Sequence, residues 1–163
     1  MKIKHFLICL MMIFSQNLIG QTSEPSEMHS DHHEHHKNEI GVGNFPVYFL
    51  EENKFAYGLH IHYTRVIPKT KFGLGLAYER IFDEHKHNFL GIVGSFRPVE
   101  KVSFAVSPGV AFEGKDSKPI FAFHLETSYE FEIKNFHLGP VFEFAYDPED
   151  LHLSLGIHVG LGF

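Results

Sequence analysis

The chain has 163 residues, with 14 basic and 20 acidic side chains, 14 histidines, 18 phenylalanines, no tryptophan and one cysteine, which is one domain's worth of sequence. A mean hydropathy of −0.10, with no apolar run of about 18 residues past the first twenty, excludes a multi-span helical transporter. The formal charge of −6, spread along the chain, argues against nucleic acid as a partner.

In chain order, residues 1–20 read as a secretory signal: Lys2 and Lys4 precede a short apolar stretch, and Gly20 offers a small residue before Gln21. Its removal takes away Cys9, the only thiol, together with both lysines, and moves the formal charge from −6 to −8. Cys9 lies inside the apolar stretch rather than after it, which makes a lipid anchor through that residue a poor fit. A mature chain without thiols has neither disulfides nor cysteine metal ligands.

Residues 21–38, QTSEPSEMHSDHHEHHKN, carry one Met and no aromatic or β-branched apolar side chain, so they cannot bury a core. The segment reads as a flexible arm bearing His29, His32, His33, His35 and His36, with Asp31 and Glu34 between them.

From residue 39 to 163 the pattern changes to two-residue alternation between short turn clusters. Turns are expected at 51–54, 68–71, 83–87, 98–101, 114–119, 134–135 and 147–150, leaving eight strands. Each is about ten to thirteen residues long, near the roughly 9–11 that a tilted transmembrane strand needs and well above the usual five or six. The last strand is the clearest. Leu151, Leu153, Leu155, Ile157, Val159, Leu161 and Phe163 alternate with His152, Ser154, Gly156, His158, Gly160 and Gly162.

Alternation alone fits a soluble core or a lipid-facing wall. Side-chain volume separates the two. All six Tyr and 13 of the 16 Phe beyond residue 20 fall on the apolar face, the exceptions being Phe45, Phe49 and Phe89. An eight-stranded barrel is only wide enough for modest side chains inside, so that many rings must face outward. The opposite face holds 11 of the 14 Gly, as a narrow lumen requires. The expected fold is therefore all-β, an eight-stranded antiparallel up-and-down transmembrane barrel.

The closing segment LHLSLGIHVGLGF, with Leu155, Ile157, Val159, Leu161 and Phe163 on one face, resembles the C-terminal strand that the outer-membrane assembly machinery of Gram-negative bacteria recognises. With it, residues 39–163 resemble the small outer-membrane barrels of the OmpA/OmpX type, here without a periplasmic domain. The resemblance implies a cell outer-membrane location among lipid and lipopolysaccharide, both termini and the arm in the periplasm, three short turns on that side and four loops outside. Pro46, Pro108 and Pro140 fall on the lipid face within strands, where bulges or broken ladders are expected because a closed barrel has no free edge. Short loops argue against an adhesin or receptor, and eight strands leave no porin-sized channel.

Three groups of residues could carry chemistry. On the arm, His29, His32, His33, His35 and His36 offer neutral imidazoles for zinc, copper or nickel, and a flexible chain can gather several around one ion. A solvated tether is the plainer reading of the same composition. In the lumen, His60, His62, His124, Glu126 and His158 should sit near mid-depth, with His137, His152, Glu79, Glu130, Glu143 and Arg97 also inward. They form either a metal site or the hydrogen-bonded filling usual in small barrels. In the second loop, His85 and His87 stand among Asp83, Glu84 and Lys86.

The outward polar residues Asn44, Arg65, Arg80 and Thr127 include no Ser or His, so a lipid A-modifying enzyme that needs such residues on the lipid side is disfavoured. Arg65 and Arg80 suit headgroup phosphates at the interfaces. The leading expectation is a non-enzymatic outer-membrane barrel whose periplasmic arm binds divalent transition-metal ions, with a metal-transport system as partner. The alternative is a purely structural barrel with an incidental tether.

Overall fold

The structure, a computed structural model, describes residues 36–114 and 117–163. The expected signal segment and the arm as far as His35 lie outside the described residues. The described residues form nine strands: β1 (Asn38–Phe49), β2 (Lys54–Val66), β3 (Phe72–Phe82), β4 (His87–Val99), β5 (Val102–Glu113), β6 (Ile120–Tyr129), β7 (Phe131–Ile133), β8 (Phe136–Tyr146) and β9 (Leu151–Gly162). Each pairs antiparallel with its neighbours, β9 returns to β1, and β6 pairs with β8, so the sheet is closed. β6 and β7 are one stave interrupted at Glu130, both lying along β8 in a single register, which gives eight staves in all. Strands begin or end a few residues away from the expected turns. Lys54, His87 and Pro98 belong to strands, because in tight hairpins the ladder runs nearly to the turn. Asn53, Lys69, Lys86 and Lys134 turn the chain with left-handed φ of 55 to 63°.

Pro46, Pro108 and Pro140 break the ladder as expected, each on one side only. The β1–β9 register is the same on both sides of Phe45 and Pro46, yet neither residue pairs with β9. The β4–β5 ladder skips Ile92 and Val93 opposite Ser107 and Pro108. Tyr129 and Glu130 are unpaired opposite Gly139 and Pro140, and this gap divides β6 from β7. A missing N–H removes one rung, while the intact pairing on the other flank of each proline holds the register. Where the rung is lost, the Tyr129 carbonyl moves in over Gly139, a position that a Cβ would occupy. A different irregularity, a register shift between Phe96 and Val99, falls where Arg97 turns into the lumen.

The period of two sorts the side chains as the alternation predicts. Phe55, Leu74, Phe121, Leu155 and their neighbours project outward, with Phe55 77% and Leu155 64% exposed. An apolar surface that encircles the sheet far exceeds the few hundred Å² that a water-soluble monomer tolerates, and it matches a lipid-facing band. Arg80 lies near the loop end of β3, its guanidinium 5.4 Å from the centre of the Phe82 ring, and Arg65 lies near the opposite end of β2. Inside, Phe45, Phe49 and Phe89 are the inward rings. Phe45, Val47, Phe49, Ile81 and Val141 form one buried apolar cluster, and Ala77, Phe89, Val93, Ala111 and Ala122 form another. Between and below them the lumen is polar.

Candidate metal centres in the lumen

All six strand histidines expected inside are buried: His60, His62, His124, His137, His152 and His158. They sort into two levels. At mid-depth, hairpin register sets His60 of β2 beside Glu79 of β3, and Glu126 of β6 beside Glu143 of β8 on the facing wall. Glu143 Oε2 lies 3.3 Å from Nδ1 of His60 and 3.3 Å from Nδ1 of His124. Glu79 Oε2 is 3.7 Å from the first of these nitrogens and 3.8 Å from the second, and Glu126 Oε2 is 3.6 Å from His60 Nδ1. The Phe89 ring stacks on His124 with centroids 3.7 Å apart, which fixes the imidazole plane.

Nearer the end of the barrel where Asn38 meets Phe163, the His158 ring lies between those of His62 and His137, stacked on the first at a centroid distance of 5.1 Å and tilted against the second at 5.2 Å. Glu39 Oε1 stands 3.5 Å from His62 Nε2 and 3.4 Å from His137 Nε2. Arg97 Nη2 donates to Glu39 Oε2 at 3.1 Å and to Glu130 Oε2 at 2.8 Å, so the one inward guanidinium is committed to this level. Gly41 and Gly160 leave the space that the imidazole nitrogens of His62, His158 and His137 occupy.

The five lumen residues singled out from the sequence thus do not converge on one point. His60, His62 and Glu126 come together, His124 groups with Glu79 and His152, and His158 groups with Glu39 and His62 or with Glu130 and His137. Glu79 and Glu143 complete the mid-depth cluster. Glu39 was missed as a lumen ligand, although its even spacing from Gly41 and Gly43 would have placed it inward.

At the loop end, His87 bridges two carboxylates: Nδ1 is 2.6 Å from Asp83 Oδ2, and Nε2 is 2.9 Å from Glu113 Oε1. His85 is half exposed, 3.6 Å from Glu52 and 3.9 Å from Glu113. Partial burial pushes the Asp83 carboxyl up, but hydrogen bonds from the His87 backbone and ring outweigh it and hold Asp83 below the usual aspartate range. Glu113 was not among the candidates. It follows the inward parity of Gly109 and Ala111 but comes from a different hairpin. Of the arm residues that carry imidazoles, His36 is described: it is exposed and lies against Gly162 at the end of the last strand. His29, His32, His33 and His35 lie outside the described residues.

No family model and no curated protein matches the chain. Among solved structures, it is similar to Ail, the attachment invasion locus protein of Yersinia pestis, at 15% identity over 79% of this chain and 99% of that one, with a TM-score of 0.58. It is also similar to neisserial surface protein A, at 10% identity over 77% of this chain and 96% of that one, with a TM-score of 0.56. A de novo designed transmembrane β-barrel aligns at 15% identity over 76% of this chain and 95% of that one, with a TM-score of 0.52. At these identities the likeness is one of fold. With its closed ladder, apolar outer band and filled interior, the chain has the fold of the small eight-stranded outer-membrane β-barrels.

Proposed function

We propose that this protein is a non-enzymatic outer-membrane barrel that binds divalent transition-metal ions, zinc, copper or nickel, on its periplasmic His-rich arm. The observation that carries the reading is the density of ligands: five imidazoles and two carboxylates stand within the eight residues from His29 to His36. The arm joins the barrel at Asn38, whose backbone bonds to Phe163. A lumen filled by side chains favours holding an ion over passing solutes, and no Ser or His projects to the lipid side from a strand among the described residues. A soluble or membrane partner that moves metal is the class of protein that such an arm would serve.

Isothermal titration of the refolded protein with zinc, copper and nickel tests the arm. Replacing His29, His32, His33, His35 and His36 by Ala should remove the share of the binding that the arm supplies and so lower the number of ions bound per chain. Equal binding by this variant would refute the role of the arm, and unchanged metal tolerance in cells lacking the protein would favour the structural barrel with an incidental tether. Identical lipid A mass spectra with and without the protein are expected, since the proposed role is not enzymatic.

A further inference from the structure

We propose that Glu79, Glu143, His60 and His124 form a second site, independent of the arm, for one divalent transition-metal ion at mid-depth in the lumen. Four ligand atoms, the two Oε2 and the two Nδ1, alternate around a ring; in the order Glu143, His60, Glu79, His124 and back to Glu143 the separations are 3.3, 3.7, 3.8 and 3.3 Å. Tetrahedral zinc with bonds of about 2.0–2.1 Å places its ligands roughly 3.3–3.4 Å apart; the two contacts of Glu143 Oε2 already have that spacing, and the two of Glu79 Oε2 are a few tenths of an ångström longer. Two imidazoles and two carboxylates are ligands suited to zinc or cobalt.

Charge supplies the second argument. Glu79 and Glu143 are buried to within 2% of full exclusion, and Glu126 is 11% exposed. The inward Arg97 is bonded to Glu39 and Glu130 at the other level. Buried carboxylates need a positive partner, and a divalent ion provides it where no lysine or arginine contacts them among the described residues. Glu79 Oε2 has no hydrogen-bond partner although it is fully enclosed and aimed at the two Nδ1 atoms. Around the four ligands, His152 Nε2 stands 3.8 Å from the other oxygen of Glu79, Phe89 holds the His124 ring, and Glu126 flanks His60. A small cavity lined by Glu79, His124, His152, His87 and Asp147 lies between the site and the loop end, offering an approach from that side.

The ligands come from β2, β3, β6 and β8, two adjacent pairs of strands on facing walls. An ion there would cross-link the barrel, so binding should raise resistance to unfolding as well as change spectra.

The test uses the full chain with the five arm histidines replaced by Ala, refolded in micelles and titrated with cobalt. One cobalt per chain with the visible absorption of a tetrahedral site is expected. E143Q and H124Q should each weaken it at least tenfold, whereas H158Q, outside the ring, should leave it unchanged. Should a ring variant fail to fold, X-ray absorption of the cobalt-loaded arm variant decides instead, with two imidazoles and two oxygens expected in the first shell. No cobalt absorption in the folded arm variant, binding unaffected by E143Q, or a shell without imidazole would overturn the proposal and leave a purely hydrogen-bonded network. Titration of E143Q with its native arm separates the two sites: arm binding persists there if only the lumen site fails.

Discussion

Asn38 and Phe163 exchange two backbone hydrogen bonds, each 2.9 Å long, and so close the seam between the first and last strands. The terminal residue is therefore a rung of the barrel as well as a lipid-facing ring. Deleting Phe163 should cost about 1–3 kcal/mol, two net hydrogen bonds, in urea unfolding from lipid vesicles. Phe163→Ala keeps both bonds and should cost less. Equal losses would show that the ring, not the rung, holds the seam.

Gly139 is crossed by the Tyr129 carbonyl at the ladder gap opposite Pro140, whereas the nearest atom to a Cβ on Gly94 is a Val106 methyl at 3.6 Å. Gly139→Ala should destabilise by at least about 1–3 kcal/mol through overpacking against backbone, and Gly94→Ala should be close to neutral. The same vesicle unfolding assay compares them.

Arg97 joins Glu39 to Glu130, the second of which is fully buried. Arg97→Gln leaves two carboxylates without their cation, and a loss of about 3 kcal/mol is expected, the lower end for breaking a buried pair because Arg97 is one quarter exposed. Arg97→Lys should recover part of it, since it keeps the charge but loses the forked geometry. A silent Arg97→Gln would mean that the two carboxylates do not depend on this guanidinium.

At the loop end, the depressed Asp83 carboxyl works in one direction. A carboxylate whose folded pKa lies below its unfolded value, near 3.8, contributes stability that is complete above that pH and is lost as the pH falls through the folded pKa. Hydrogen exchange at the His87 amide, which donates to Asp83 Oδ1 at 3.1 Å, should accelerate below about pH 4 beyond the intrinsic trend. Asp83→Asn should remove that acid sensitivity.

The outer and inner faces were legible in the sequence residue by residue, because a strand's period of two is local: each of Leu151 to Phe163 faces the side that its parity assigns, and the same parity sent His60, His124 and Glu143 inward. Proline chemistry was equally local, and Pro46, Pro108 and Pro140 each open the gap that a missing donor demands. Grouping was not legible. Parity says that His158 points inward but not at what depth, and depth depends on the stagger accumulated around a closed sheet. That stagger sets His158 beside Glu39 and His137 rather than beside His124. It also brings Glu143 of β8 within reach of His60 of β2, two residues 83 positions apart. Strand, face and lipid exposure were determined by the sequence alone through backbone geometry and side-chain volume. Only the closed barrel decided which carboxylate meets which imidazole, because that neighbourhood spans facing walls and exists only once the last strand has bonded to the first.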